Sequence, residues 1–381
     1  MKKYHVCVVT GTRAEFGIWS GVLGALHKAA KLRTSLVVTG MHLQKQFGNT
    51  IKDIVFPIAA RVPMYRADEP PAKSLARATD GLAAAFRALA PDLVLVLGDR
   101  LEMLAAGNAA LAERIPLAHV HGGESAPGIW DEQIRHALTK MSHLHFCATK
   151  AARQRIVRMG EDPKRVHLVG APALDSAAKW FAATRESLAA QPASVRKIWR
   201  KQAPILLLHP GSPDQAIEYR QARMLISLLR AHFSDAKIAA IGPNNDPGHQ
   251  GILRAYREAG DDLVLTMSLP QFQFWDMLYG SQLLIGNSSS GIIEAASFGV
   301  PVINIGTRQA GRERNANVID VGWDRRAIER ALRKATSDVA FLRQTLRRRN
   351  LYGDGRARER IVGVLEKVAR EGVSLVKRFA D

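Results

Sequence analysis

Cysteine is nearly absent: Cys7 and Cys147 are the only two, and neither stands in a metal-ligand spacing. That argues against a disulfide framework and a structural zinc site and fits a reducing cytoplasm. Long apolar runs are missing as well. The longest, Leu93–Leu97 and Ile205–Leu208, are of strand length, far short of a membrane span. The apolar stretch after Lys2 and Lys3 breaks at Thr10-Gly11-Thr12-Arg13, too early for a signal peptide and better read as a first strand and its loop. Acidic residues are scarce, 35 against 54 basic ones, which leaves a net charge of +19. Yet no aromatic-rich RNA motif, zinc finger or helix-turn-helix pattern accompanies the charge. The densest cluster, Arg343 to Arg349 followed by Arg356, Arg358 and Arg360, lies where Leu342, Leu346 and Ile361 mark a buried helical face. It reads as a solvated basic surface, and neither nucleic acid nor a membrane is expected as a partner.

What is present is an ordinary globular composition, 47% apolar and 23% charged, long enough for two cores. Short valine- and leucine-rich runs alternate with segments of helical period. The runs are Tyr4–Thr10, Ser35–Val38, Ile54–Ile58, Leu93–Leu97, Leu117–Val120, Leu144–Ala148 and Val166–Val169. The rhythm blurs over Ala171–Gln202 and restarts with Ile205–Leu208, Lys237–Ile241, Leu263–Thr266, Leu283–Ile285 and Val302–Ile305. Such alternation implies an α/β chain with two Rossmann-like, doubly wound parallel sheets. The expected division is 1–172, 173–355 and a C-terminal helix in 356–381 that could pack back on the first domain.

In doubly wound sheets, ligands bind beyond the carboxyl ends of the strands. Those exits are polar here. The first half offers Arg13, His42, Asp99 with Arg100, and His121 with Glu124. The second offers His209, Asn244, Asn287-Ser288-Ser289 and Arg308. The glycine-serine turn Gly286–Gly291 suits a phosphate, with Arg308 beside it and Glu294 placed for the hydroxyls of a ribose. A plain serine N-cap with Glu294 as a first-turn acid is the alternative. The turn is neither a Walker loop nor a GxGxxG fingerprint, so ATP and NAD are not implied. Asp99 reads equally as an acid/base group or as the N-cap of the following helix. Asp131 is open in the same way, with Arg135 one turn on. His209, between a strand and Pro210-Gly211, reads as a proton shuttle or a cation for a leaving phosphate. His119, His143, His145, Cys7 and Cys147 read as core residues.

The segments GTRAEFG, GMHLQKQFG, GDRLEMLAA, HVHGGE, DEQIRHALTKMSHLHF, GNSSSGIIEA and PVINIGTRQAGRE, in this order, resemble the hydrolysing UDP-N-acetylglucosamine 2-epimerases of sialic and nonulosonic acid synthesis. The resemblance implies a GT-B fold with the substrate in a cleft between the domains. It implies no metal and no cofactor, a cytoplasmic location and a homo-oligomer, dimer or tetramer. By the same resemblance Asp99, Asp131 and His209 match active-site positions, with Ser288, Ser289, Glu294 and Arg308 at the nucleotide and Arg13 and His42 reaching the sugar side. Where some members carry a glutamate in the H-x-E-G-G-E stretch, this chain has His121, so either His121 or Glu124 takes up its work.

The implied reaction starts with UDP-GlcNAc. A base removes the hydrogen on carbon 2, UDP leaves from carbon 1, and water adds to the glycal to give N-acetylmannosamine. Each general acid–base step is worth roughly 10²–10⁴-fold. The alternatives are the same reaction on UDP-2,4-diacetamido-2,4,6-trideoxyglucose, a nonhydrolysing 2-epimerase, and a GT-B glycosyltransferase.

Overall fold

The computed structural model describes residues 3–45, 49–66, 69–125, 131–177, 180–181, 203–244, 246–267, 269 and 271–380. Most of the blurred stretch before Ile205, residues 182–202, lies outside the described residues. The chain forms two compact units, one of residues 1–176 with 352–381 and one of residues 177–351.

The first unit holds a seven-stranded sheet in the order β3-β2-β1-β4-β5-β6-β7. Its strands are β1 (Tyr4–Thr10), β2 (Leu32–Thr39), β3 (Ile58–Val62), β4 (Leu93–Leu97), β5 (Leu117–Val120), β6 (Leu144–Cys147) and β7 (Val166–Leu168). All neighbouring pairs are parallel. β1 and β4 are buried almost end to end, as the valine and leucine runs require when helices cover both faces. The helix Arg13–Lys28 begins at a capping box in which Thr12 accepts from the Glu15 amide. It buries Trp19, Leu23 and Leu26 against one face of the sheet. The C-terminal helix Ala357–Glu371 joins that same core through Ile361, Leu365 and Val368. Truncating one such leucine to alanine costs about 2–5 kcal/mol.

The second unit holds a six-stranded sheet, order β10-β9-β8-β11-β12-β13. Its strands are β8 (Pro204–Leu207), β9 (Ile238–Ile241), β10 (Leu263–Thr266), β11 (Leu283–Gly286), β12 (Val302–Ile305) and β13 (Val318–Val321). These pairs are parallel too. The long helices Gln215–His232 and Arg325–Ser337 cover it.

Four details differ from the sequence reading. The third strand is Ile58–Val62, not Ile54–Ile58; it lies at the sheet edge, where its half-exposed alternation hides the usual apolar run. β13 has the same half-exposed character and was not expected. The glycine-serine turn leads not into one helix with Glu294 in its first turn but into two short ones, Ser289–Ile293 and Ala295–Phe298, meeting at Glu294. Leu346, expected on a buried face with Ile361, is 53% exposed, because its helix ends at Thr345 and the chain turns there. Among the described residues no helix is long and apolar enough to cross a membrane.

Candidate active site

At the β4 exit, Gly98 turns with a positive φ, and the helix Leu101–Ala112 takes Arg100, not Asp99, as its N-cap, without a side-chain cap. The capping alternative for Asp99 is therefore removed. Its carboxylate instead receives the guanidinium of Arg135, a buried residue on the helix Asp131–Met141. The same guanidinium reaches Glu132 at 3.0 Å and donates to the Glu124 carbonyl at 3.2 Å. Arg135 thus ties the β4 exit to the β5 exit. Asp131 opens its helix on the exposed side, one turn before Arg135.

The β5 exit is built from His121 at φ 63° and Gly123 at φ 75°. The tight turn folds Glu124 back, so that His121 Nδ1 donates to Glu124 Oε1 at 2.6 Å with both side chains buried. Because the carboxylate can only accept, the proton sits on Nδ1, and Nε2 is the nitrogen left to take or give a proton.

A second acidic group lies at the β1 and β2 exits. Glu15 accepts from the amides of Gly11 (2.7 Å) and Thr12 (3.2 Å). The Glu102 side chain fills the space above Gly11 and Gly40; a Cβ on Gly40 would lie 2.5 Å from Glu102 Cγ, and φ there is already 61°. Arg100 sits 3.3 Å from Glu102 and 4.0 Å from Glu15. Burial, and then the neighbouring Glu102 charge, push the Glu15 carboxyl up to about 7. His42 is fully buried between Thr10 Oγ1 (3.2 Å) and Thr50 Oγ1 (2.8 Å), and burial lowers it to about 4. Arg13 is half-exposed and faces Asp53 at 3.7 Å.

In the second unit, Asn287 locks the β8 exit from both sides. Its side chain accepts from the His209 amide (2.7 Å) and donates to the His209 carbonyl (2.8 Å). The Asn244 amide donates to His209 Nδ1 at 3.1 Å, so Nδ1 carries a lone pair and the proton sits on Nε2. Burial, with the Arg308 charge adding to it, lowers His209 to about 3. This geometry does not favour the cation read for His209 and leaves its ring as a neutral Nε2–H donor. Ser288 is the N-cap of Ser289–Ile293, its hydroxyl 3.4 Å from the Ser290 amide. Glu294 is not a first-turn acid: it sits at the helix junction, accepts from Trp275 Nε1 at 2.8 Å, and is pushed up to about 7 by burial. Arg308 and Gln309 both donate to the Asn287 carbonyl, at 3.4 and 2.9 Å.

The first unit thus gathers Asp99, Arg100, His121, Glu124, His42 and Arg13 at its exits, with Asp131 beside them. The second gathers His209, Asn244, Asn287, Ser288, Ser289 and Arg308. Sequence reasoning missed Glu132, Glu15, Glu102 and Gln309. Glu15, in an S/T-x-x-E capping pattern, carried the only local signal.

Two parallel, doubly wound sheets in one chain, each with its polar groups at the strand exits, define an α/β fold of the GT-B kind. A solved structure of UDP-GlcNAc 2-epimerase from Neisseria meningitidis, bound to UDP-GlcNAc, superposes with a TM-score of 0.81, covering 95% of this chain and 100% of that one at 18% identity. The sequence pattern of the UDP-N-acetylglucosamine 2-epimerases matches residues 24–366, and the chain belongs to that family of enzymes. It is 38% identical to the UDP-N,N'-diacetylbacillosamine 2-epimerase (hydrolyzing) of Legionella pneumophila, over 95% of this chain and 96% of that protein. It is 31% identical to the UDP-N-acetylglucosamine 2-epimerase of Neisseria meningitidis serogroup B, over 99% of each.

Proposed function

We propose that the protein is a hydrolysing 2-epimerase of a UDP-linked 2-acetamido sugar. The observation that carries the reading is the position of Arg135. It pairs with Asp99 and holds the loop of the His121–Glu124 pair, so two candidate proton-transfer groups stand at adjacent strand exits. Epimerisation through a glycal needs two such groups: one removes the hydrogen from carbon 2, and another delivers a proton to carbon 2 from the opposite face.

In this reading Asp99 and Asp131 are acid/base groups. His121, oriented by Glu124 on Nδ1, offers Nε2 as the third, and this shares the work of the glutamate found in other members between the two residues. As the base takes the carbon 2 hydrogen, the C1–O bond breaks and the pair of electrons leaves with UDP. His209, neutral and protonated on Nε2, and Arg308 stabilise the departing diphosphate. Ser288 and Ser289 contact the phosphates, Glu294 the ribose, and Arg13 and Arg100 the sugar side, while His42, fully buried between two threonines, supports the β2 exit behind them. Water then adds to the glycal at carbon 1 while carbon 2 is protonated.

The 38% identity to a diacetylbacillosamine enzyme, against 31% to a UDP-GlcNAc enzyme, favours the 2,4-diacetamido-2,4,6-trideoxy sugar over UDP-GlcNAc. The test is a reaction in heavy water with each sugar, followed by phosphorus and proton spectra. Free mannose-configured sugar with deuterium on carbon 2 and accumulating UDP supports the proposal. A UDP-linked epimer as end product assigns a nonhydrolysing reaction, and UDP release without deuterium on carbon 2 removes the glycal.

A further inference from the structure

Residues 374–380 follow the last helix and form neither helix nor strand, yet polar groups fasten them to the first unit along their length. Arg165 donates to the Ser374 carbonyl at 3.4 Å, and the Ala380 amide donates to the Gly160 carbonyl at 3.0 Å. His143 Nε2 donates to the Leu375 carbonyl at 3.3 Å while its Nδ1 accepts from the Leu117 amide, so one tautomer serves both bonds. The Phe379 ring lies on Gly160, where φ is 80° and an added Cβ would overlap the ring. The Lys140 ammonium stands 5.0 Å from the centroid of that ring. Apolar burial contributes little, since Leu375, Val376 and Phe379 are 42%, 68% and 71% exposed. The segment is a strap held by hydrogen bonds and charge.

Its central anchor is Lys377. The ammonium donates to the carbonyls of Lys140 (2.6 Å) and Ser142 (2.7 Å) and stands 2.7 Å from Glu161 Oε2. Three N–H groups thus meet three acceptors. Glu161 is buried, receives His145 Nε2 at 3.0 Å and pairs with Lys140 at 2.7 Å. Burial raises its carboxyl, but hydrogen bonds from His145, Lys140 and Lys377 outweigh that and bring it down to about 2. Lys377 therefore faces a fixed negative charge. His143 and His145, buried as the sequence reading expects, have the added task of seating the strap.

The two carbonyls that Lys377 takes belong to the end of the helix Asp131–Met141 and to the residue after it. The last carbonyls of a helix have no partner within it, and a cation beside them is favoured by the helix dipole. Ser142 covers the Leu138 carbonyl through both its amide and its hydroxyl, and Lys377 covers the next turn. This is the helix whose other end carries Asp131, Glu132 and Arg135. Its buried side chains Ile134 and Leu138 hold it against the sheet, but apolar contact is non-directional and resists sliding along the axis weakly. Directed bonds at both ends fix that position: Arg135 to Asp99 and to the Glu124 carbonyl, and Lys377 at the far end.

We propose that residues 374–380 clamp the helix Asp131–Met141 and that Lys377 is a positioning residue for Asp131 and Arg135, a role that rests on the proposed epimerase reaction. Misplacing an acid/base group by about 1 Å can cost on the order of 10²-fold in rate, so a helix loosened at its far end loses turnover without losing the nucleotide.

Lys377→Met and Phe379→Ala are compared in the full chain with the parent and with Val376→Ala, an exposed position on the same strap. Amide hydrogen exchange read by mass spectrometry is expected to quicken about tenfold over residues 131–142 in Lys377→Met, and less in Phe379→Ala. In Lys377→Met, kcat for the UDP-sugar should fall about tenfold or more, with KM and UDP affinity within about twofold of the parent. Val376→Ala should match the parent in exchange and in turnover. Faster exchange confined to residues 374–380 would overturn the clamp. A kcat within about twofold of the parent in Lys377→Met would overturn the positioning role. The exchange measurement does not depend on turnover. A parent that turns over no UDP-sugar defeats the reaction proposed for the site, while the exchange pattern still decides whether the strap clamps the helix.

Discussion

Asp99, Glu124, Glu15 and Glu102 at the exits of the first sheet are each met by a basic side chain: Arg135, His121 or Arg100. At the exits of the second sheet the corresponding positions hold Asn287, Asn244, Ser288 and a His209 kept neutral by burial and the Arg308 charge, with Arg308 as the cation. Both units use one architecture, yet one edge concentrates groups that can exchange protons and the other concentrates amides, hydroxyls and a fixed positive charge. The first kind of edge suits bond making at carbon; the second suits holding an anion without reacting with it. This contrast is the physical form of the division of labour in the proposed reaction.

The contrast breaks most sharply at Asp99. Asp99→Asn keeps a hydrogen-bonding partner for Arg135 but removes the proton-transfer group. Turnover is expected to fall roughly 10²- to 10⁴-fold with the fold intact by circular dichroism. Near-parental turnover would demote Asp99 to a structural partner of Arg135. On the second edge, Arg308→Ala should leave the fold intact by circular dichroism and weaken UDP roughly 10- to 100-fold in calorimetry, the worth of a charge-assisted hydrogen bond. An unaltered UDP affinity would remove Arg308 from the anion side of the comparison.

A smaller effect tests how the first unit is closed. Asp175 accepts from the amides of Ala357 (2.7 Å) and Arg358 (2.5 Å) and so caps the C-terminal helix from a distant part of the chain. Asp175→Ala is expected to cost about 1–2 kcal/mol, typical of a lost N-cap. In a denaturant melt the loss should appear in the first unit; a loss confined to the second would contradict the capping role.

The last effect is a pH slope. Burial, and then the Glu102 charge, raise the Glu15 carboxyl from the ordinary 4.5 to about 7 in the folded chain. Between those values the folded state binds more protons than the unfolded one. The contribution is therefore fully present below about pH 4.5 and is lost as pH rises through about 7. Glu15→Gln should flatten that part of the decline in unfolding temperature between pH 4.5 and 7. His42, His119 and His209, whose ring nitrogens are lowered mainly by burial, slope the other way, so the measurement is the difference between variant and parent. A slope identical in both would mean that Glu15 is ionised when folded, and the acid-rich character of the first edge would rest on ion pairs alone.

Much of this architecture is local and so was readable in one dimension. The buried strands announce themselves as unbroken apolar runs because both faces are covered, and the groups that follow them must lie at the sheet edge. Two of the four edge strands escaped: β3 and β13 are half exposed, and a run containing Ala60 and Arg61, or Asp320, does not look like a strand. The pairing of Asp99 with an arginine was not readable either, because Arg135 stands 36 positions away and looked like a neighbour of Asp131.

The sequence by itself determined the α/β class and the two parallel sheets, since strand period, capping and chain reversal act over a few residues. Tertiary structure alone decided which of those residues touch. It set Arg100 rather than Asp99 at the helix start, placed Glu102 over Gly11 and Gly40, fixed the protons of His121 and His209 on opposite ring nitrogens, and brought Asp175 to the helix at Ala357. Each depends on groups far apart in the chain, whose contact is fixed only when the sheets have packed and buried polar atoms must find partners.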